Sequence, residues 1–404
     1  MAGTVVIGAG QAASQLVATL RAEGYADPIA VIGDEPYPPY QRPPLSKKFL
    51  AGEQTQDPLY IKPPQLYVQA RAMLKLGGRP AAVGRAREKE TLSDGAALGY
   101  DSLVFATGSR VRKLTVPGSD LPGIHYLRGI DDVKAIQPHF HAGKRMVVVG
   151  GGYIGLETAA VAAKRGLAVT VVEAMERCLQ RVTSPLMSAF FQTLHRAEGV
   201  VIQTETGVTG FEASPGGGLV VKTTKGEIAC DFVVAGIGIL PGQELAAACG
   251  IVCDNGIVVD EFARTSDPNV YAAGDCANLP SKLMGRRLRL ESVHNAIEQA
   301  KTAALSIAGK PKAYDDVPWF WSDQYDIKLQ IAGLSAPGDT VVVRGDPASR
   351  KFAAFYLRDG VVAAVDAVNA APEYMIGRMM IAQKKAVDPG RLADPAMPMK
   401  SLMG

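Results

Sequence analysis

The sequence predicts an α/β protein built from two Rossmann-like dinucleotide-binding domains and a C-terminal α+β domain. Two glycine-rich turns carry that prediction, one after an apolar strand at residues 4–7 and one after the valines Val147, Val148 and Val149. Each turn leads into an alanine-rich helix and then a second apolar strand, the order of a βαβ unit. The third observation is a set of short strands around Val341, Phe352 and Val361 with a closing helix over 372–385, which reads as a separate α+β layer. A length of 404 residues exceeds one ordinary core and agrees with two or three domains.

In the first unit the strand runs into Gly8, Ala9, Gly10, Gln11, Ala12 and Ala13, with alanine in place of a third glycine. The first glycine allows the tight turn and the second lets backbone approach a pyrophosphate. A helix over 14–23 and a strand over 29–32 follow, closed by Asp34 and Glu35. One of these acids should meet a ribose, and Glu35 is the better placed; an ordinary pair of turn acids is the other reading. Residues 36–49 contain so many prolines that an extended loop, with no helix before Leu45, is expected. A strand at 102–105 ends in Ala106, Thr107 and Gly108, which returns backbone toward the phosphates.

The second turn places Gly150, Gly152 and Gly155 at G-x-G-x-x-G spacing, followed by a helix over 154–165 and a strand over 168–172 ending at Glu173. The helix N-terminus offers backbone N–H groups and a favourable dipole to phosphates. Glu173 lies where such folds set an acid against the adenosine 2′-hydroxyl, which argues for NADH over NADPH, because a 2′-phosphate would be repelled. Glu157, in the first turns of this helix, needs a partner if buried in the cleft; otherwise it favours the positive end of its own helix. Two such units imply two nucleotides, one held and one exchanging.

Hydrophobic residues at 47% and charged residues at 21% describe a soluble globular chain, and a net charge of +3 is too small to imply nucleic acid. The first strand follows Met1 almost directly, leaving no room for an export signal, and no apolar run is long enough to span a bilayer; a cytoplasmic protein with no membrane anchor is expected. The cysteines Cys178, Cys230, Cys249, Cys253 and Cys276 include no C-x-x-C pair, which suits a reducing compartment. Cys249 and Cys253 have no other Cys or His near them in sequence, so no metal site is expected.

The chain resembles the FAD-dependent pyridine-nucleotide disulfide oxidoreductase superfamily, and within it the single-component ferredoxin reductases of bacterial monooxygenase systems. The resemblance spans nearly the whole chain and rests on GAGQAA at residue 8, PPYQRPPLSK ending at Lys47, ATGSR at 106, GGGYIGLE at 150, AGIGILP at 235, TSDPNVYAAGDCA ending at 277, RLESVHNAIEQA ending at 300 and PWFWSDQYDIKLQIAGL from 318. It implies a discontinuous FAD-binding domain at 1–110 and 243–314, an NAD-binding domain at 111–242 and an interface-like domain at 315–404. For FAD it implies Gly8, Gly10, Ala12, Ala13, Asp34, Glu35, Arg42, Lys47, Ala106, Thr107, Gly108, Arg128 and Gly274. Asp275 would bond the ribityl chain, and Glu291, Ser292 and Val293 would stand at a helix N-terminus beside the isoalloxazine edge. Pro80 falls where the family commonly offers a backbone N–H to adenine, which proline lacks, so Ala82 or carbonyls alone would hold that edge.

For the nicotinamide nucleotide the resemblance implies Gly150, Gly152, Tyr153, Ile154, Gly155, Glu157, Glu173, Arg181, Gly236 and Gly238. It makes Lys47 and Glu157 a pair beside the flavin's reactive nitrogen and brings Trp321 toward the flavin as an electron exit. Relatives that reduce disulfides or peroxides carry redox cysteines early in the chain, whereas this chain has none before Cys178. The expected activity is therefore hydride transfer from NADH to FAD, with electrons leaving the flavin singly for a two-iron ferredoxin that serves a cytochrome monooxygenase or other oxygenase. Such ferredoxins are usually acidic, and Lys282, Arg286, Arg287 and Arg289 form either a docking patch or a solvated loop. An NADH oxidase and a redox-sensing flavoprotein like apoptosis-inducing factor are the alternatives. Close relatives suggest a monomer or weak dimer.

Overall fold

The strand Thr4–Ile7 is buried along its whole length because it lies in the middle of a parallel sheet, ordered Val270–Ala272, Ser102–Phe105, Thr4–Ile7, Ile29–Gly33 and Ala72–Leu76. The computed structural model describes residues 3–78, 80–84, 89–92 and 97–403, with backbone only for 80–84, 89–92, 97 and 98. The chain divides into two compact units, the first comprising Met1–Gln41, Gln56–Arg110 and Leu240–Pro318, the second Arg42–Thr55, Val111–Ile239 and Trp319–Gly404. In the first unit the helix Gln11–Ala22 turns Ala13, Leu16 and Leu20 inward and packs against the helix Val293–Ile307 through Ala300, Ala303 and Ala304. Small side chains at that contact let two helices approach closely.

The second unit repeats the plan. Its parallel sheet runs Val201–Gln203, Ala168–Val172, Arg145–Val149, Phe232–Ala235 and Ile124–Tyr126. The helix Tyr153–Lys164 follows the central strand. The same unit contains an antiparallel sheet of Trp319–Gln324, Ile327–Gly333, Val361–Val368, Lys351–Arg358 and Thr340–Asp346. The helix Ala371–Ala382 packs on it.

One local structure differs from expectation, and a second adds to it. Pro43–Ser46 is a 3₁₀ helix, beginning before Leu45. Proline at the start of a helix loses nothing, since that N–H has no intrahelical acceptor and the ring presets φ. The tryptophans belong to a strand, joined to the next by a tight turn in which Tyr325 has φ 56°. A tyrosine in that left-handed region lacks the Asn-Gly signal by which such hairpins are read.

Candidate active site

Gly8 has φ 106°, and a Cβ there would lie 2.1 Å from the Ala106 carbonyl oxygen, so the turn closes against the residue that follows the strand Ser102–Phe105. Gly10, by contrast, faces open space: a Cβ would meet nothing within 4 Å. It stands at the N-cap of Gln11–Ala22, where no side chain caps the helix. The first-turn N–H groups therefore border a space that an anionic group can enter. Around the same sheet edge, Ser109 donates to Asp275 at 2.7 Å, Thr107 donates to the Gly242 carbonyl, and Gly274 N–H donates to Gln299 at 2.8 Å. Tyr40 donates to the Glu35 carboxylate. Ser292 caps Val293–Ile307 by accepting from Asn295 N–H, so Glu291, Ser292 and Val293 do stand at a helix N-terminus. Glu291 also pairs with Arg289 at 2.6 Å.

The second turn has the same design. Gly150 has φ 104° and its Cβ would lie 2.4 Å from the Gly236 carbonyl oxygen, while Gly152 faces open space at an uncapped N-cap. Gly155 permits the closest approach, since a Cβ there would sit 2.2 Å from the Gly150 oxygen. Glu173 accepts from Gly151 N–H at 2.7 Å and from Met175 N–H at 2.8 Å, which fixes its carboxylate at the mouth of the turn. Arg177 is engaged with Thr183 O, Ser188 Oγ and Gln180 O. Arg181 is exposed, with its guanidinium near Gly238. Tyr153 begins the helix, its ring 5.0 Å from that of Phe320, and the adjoining Ile154 is 45% exposed.

Lys47 and Glu157, far apart in sequence, meet at 2.8 Å with the carboxylate almost wholly buried. The alternative of a solvated helix-end glutamate is thereby set aside. Glu157 Oε2 also accepts from Ser46, and Oε1 accepts from Ser322 at 2.6 Å. A carboxylate removed from water needs this number of donors. Sequence reading missed both serines, because a hydroxyl adds nothing to a motif; only adjacency to Lys47 and the WFWS string pointed to them.

Arg42 donates to the Arg128 carbonyl at 2.7 Å, bringing those two residues together. The Trp321 ring lies 5.6 Å from that of Trp319 and 6.4 Å from that of Phe320, both in tilted contact. Pro80 and Ala82 lie in the strand Pro80–Gly84, whose side chains are outside the described residues. The four cations expected to form one patch divide. Arg287, although exposed, donates to Val259 O at 2.6 Å and to Asn278 Oδ1 at 3.1 Å; half-buried Arg289 pairs with Glu291 and Asn255; exposed Lys282 stands 3.8 Å from Glu261, and Arg286 is exposed. Cys178 and Cys230 are buried thiols whose pKa values burial pushes up to about 12, and Cys276 is shifted up for the same reason.

Residues 3–300 match the pyridine nucleotide-disulphide oxidoreductase family, and residues 319–403 match the reductase C-terminal family. The chain belongs to the pyridine nucleotide-disulphide oxidoreductase family. It is 42% identical to rhodocoxin reductase of Rhodococcus erythropolis, over 98% of this chain and 93% of that protein. It is also 42% identical to putidaredoxin reductase of Pseudomonas putida, over 99% of this chain and 96% of the relative. A crystal structure of the covalent putidaredoxin reductase–putidaredoxin complex superimposes with TM-score 0.96 at 42% identity, covering 99% of this chain and 98% of that one. This family member is an oxidoreductase that uses FAD and NAD(H). Its two turns fit those groups: open space at Gly10 and at Gly152, bounded by uncapped helix starts, accommodates a pyrophosphate in each. No helix among the described residues is long and apolar enough to cross a membrane.

Proposed function

We propose that the protein is an NADH-dependent ferredoxin reductase whose acceptor is a two-iron ferredoxin feeding an oxygenase. One observation carries the reading: Lys47 pairs with the buried Glu157, and no cysteine precedes Cys178 to relay electrons through sulfur. FAD, when bound, supplies two-electron entry and one-electron exit. Gly8, Gly10, Ala12 and Ala13 bind its pyrophosphate, Glu35 its ribose and Asp275 its ribityl chain, in a domain of residues 1–110 and 243–314. Arg42 and Arg128 add positive charge toward its phosphates. The start of Val293–Ile307 favours negative charge on the reduced ring.

Residues 111–242 bind NADH. Gly150, Gly152 and Gly155 admit its pyrophosphate, Glu173 takes the adenosine 2′-hydroxyl, and the engagement of Arg177 elsewhere supports NADH over NADPH. Lys47 and Glu157 orient the hydride path at the flavin's reactive nitrogen. Trp321, in residues 315–404, is the electron exit. Lys282, Arg286 and Arg287 are the exposed charges that attract an acidic ferredoxin, an effect that weakens with salt. A cytoplasmic location and a monomer or weak dimer complete the proposal.

Stopped-flow reduction by NADH, followed by cytochrome c reduction with and without a two-iron ferredoxin, tests it. Fast flavin bleaching with strict dependence on ferredoxin is expected. Oxygen uptake without a protein partner would make the protein an oxidase, and slow bleaching with a persistent complex would make it a redox sensor.

A further inference from the structure

Glu157 is the inner end of a hydrogen-bond chain that no nucleotide motif contains. Ser322 Oγ donates to Glu157 Oε1 at 2.6 Å, and Gln324 Nε2 donates to Ser322 Oγ at 3.1 Å. His195 Nε2 meets Gln324 Oε1 at 2.8 Å, and the Tyr325 hydroxyl meets His195 Nδ1 at 3.0 Å. Ser322, Gln324 and His195 are all buried. They come from the helix Pro185–Ala197 and from the strand Trp319–Gln324 with its turn.

The chain has one direction. With its amide N–H on Ser322, Gln324 offers His195 only a carbonyl oxygen, so Nε2 must carry the imidazole hydrogen. Burial pushes the His195 pKa down to about 4, which leaves the ring neutral with a single N–H. Nδ1 is then a bare acceptor and Tyr325 must donate inward. Every donor points toward Glu157. A proton on Glu157 Oε1 would force Ser322 to turn its hydroxyl toward a buried neighbour that presents N–H, leaving two donors facing each other, unless the whole chain reversed together.

We propose that Ser322, Gln324, His195 and Tyr325 are positioning residues that hold Glu157 as an oriented carboxylate against Lys47, and thereby set the charge that hydride transfer meets. This rests on the reading that the Lys47–Glu157 pair faces the flavin. The C-terminal segment then contributes to the chemistry of the nucleotide region, not only to partner contact.

The test uses the FAD-loaded full chain and the variants Ser322→Ala, His195→Phe and His195→Gln, with Glu157→Gln as reference. Flavin midpoint potential is measured by spectroelectrochemistry; the limiting reduction rate and the NADH Kd are measured separately by stopped flow. Glu157→Gln is expected to raise the potential, because Lys47 then favours the anionic reduced ring unopposed. Ser322→Ala and His195→Phe should shift the potential in the same direction and move the limiting rate about tenfold in the same sense as Glu157→Gln, with Kd little changed. His195→Gln keeps a donor toward Gln324 and an acceptor toward Tyr325 and should stay near wild type. Wild-type potential and rate in Ser322→Ala, against a shifted Glu157→Gln, would overturn the proposal, as would a His195→Gln variant as impaired as His195→Phe. If Glu157→Gln itself changes neither quantity, the placement of the pair at the flavin fails and the chain's role falls with it. Ser322→Ala decides the matter should His195→Phe not fold.

Discussion

The turns at 8–13 and 150–155 share a spacing, yet they end differently. In the second, Gly155 is obligatory, because a Cβ would lie 2.2 Å from the Gly150 carbonyl oxygen. In the first, Ala13 fills the same place, fully buried in the core between the two helices. The two units also differ in where they bury charge. Glu157, Asp366 and Arg344 are the charged residues buried among those described, and all belong to the second unit. Among the described residues the first unit thus keeps its Asp, Glu, Lys and Arg side chains at least partly exposed. The second adds carboxylates held by designed sets of donors, which is where chemistry sensitive to charge can be tuned.

Substitution at the glycines tests the geometric half of that contrast and has the largest expected effect. Gly8→Ala combines a left-handed φ with a contact of 2.1 Å to backbone. It should cost roughly 3 kcal/mol or more, so the purified protein should lack flavin colour. Gly155→Ala should abolish NADH binding in a titration or lower the unfolding midpoint, whereas Ala13→Gly should cost only about 1 kcal/mol. Equal tolerance at Gly155 and Ala13 would erase the distinction between the turns.

The buried carboxylates are sharpened by pH. Asp366 accepts from Thr183 and, at 2.7 Å, from Tyr356, but desolvation dominates and raises its pKa to about 6. The folded state therefore binds this proton more tightly than the unfolded chain, whose value is about 3.9. The group's contribution is fully present below about pH 4 and is lost as pH rises to about 6, an effect on the order of 3 kcal/mol by linkage. Urea unfolding across that window should show the fall in wild type and a flatter profile in Asp366→Asn. A parallel slope in both would remove Asp366 as its source.

A smaller effect than at the glycines or Asp366 is expected at Glu173. Glu173→Ala should weaken NADH about tenfold, near 1.4 kcal/mol, and weaken NADPH less. Unchanged Kd values for both nucleotides would take Glu173 out of the ribose site and leave its two backbone hydrogen bonds as its whole role.

Both glycine turns, their helices and the strands ending at Glu173 and Phe105 were legible in the sequence, because local spacing and period dictate them whatever surrounds them. The family followed from long strings in a fixed order, and Lys47 and Glu157 were named through it. What the sequence could not state is what completes the pair. Ser46 and Ser322 approach Glu157 from segments 111 and 165 residues away in sequence, and His195 meets Gln324 across 129. Nor could it divide the cluster at 282–289, where Arg287 is tied to Asn278 and Arg289 to Glu291. A backbone turn is determined by the residues that form it. The partner of a buried charge is determined by whichever distant segment packing brings within hydrogen-bond reach, and that is decided only when the chain has folded.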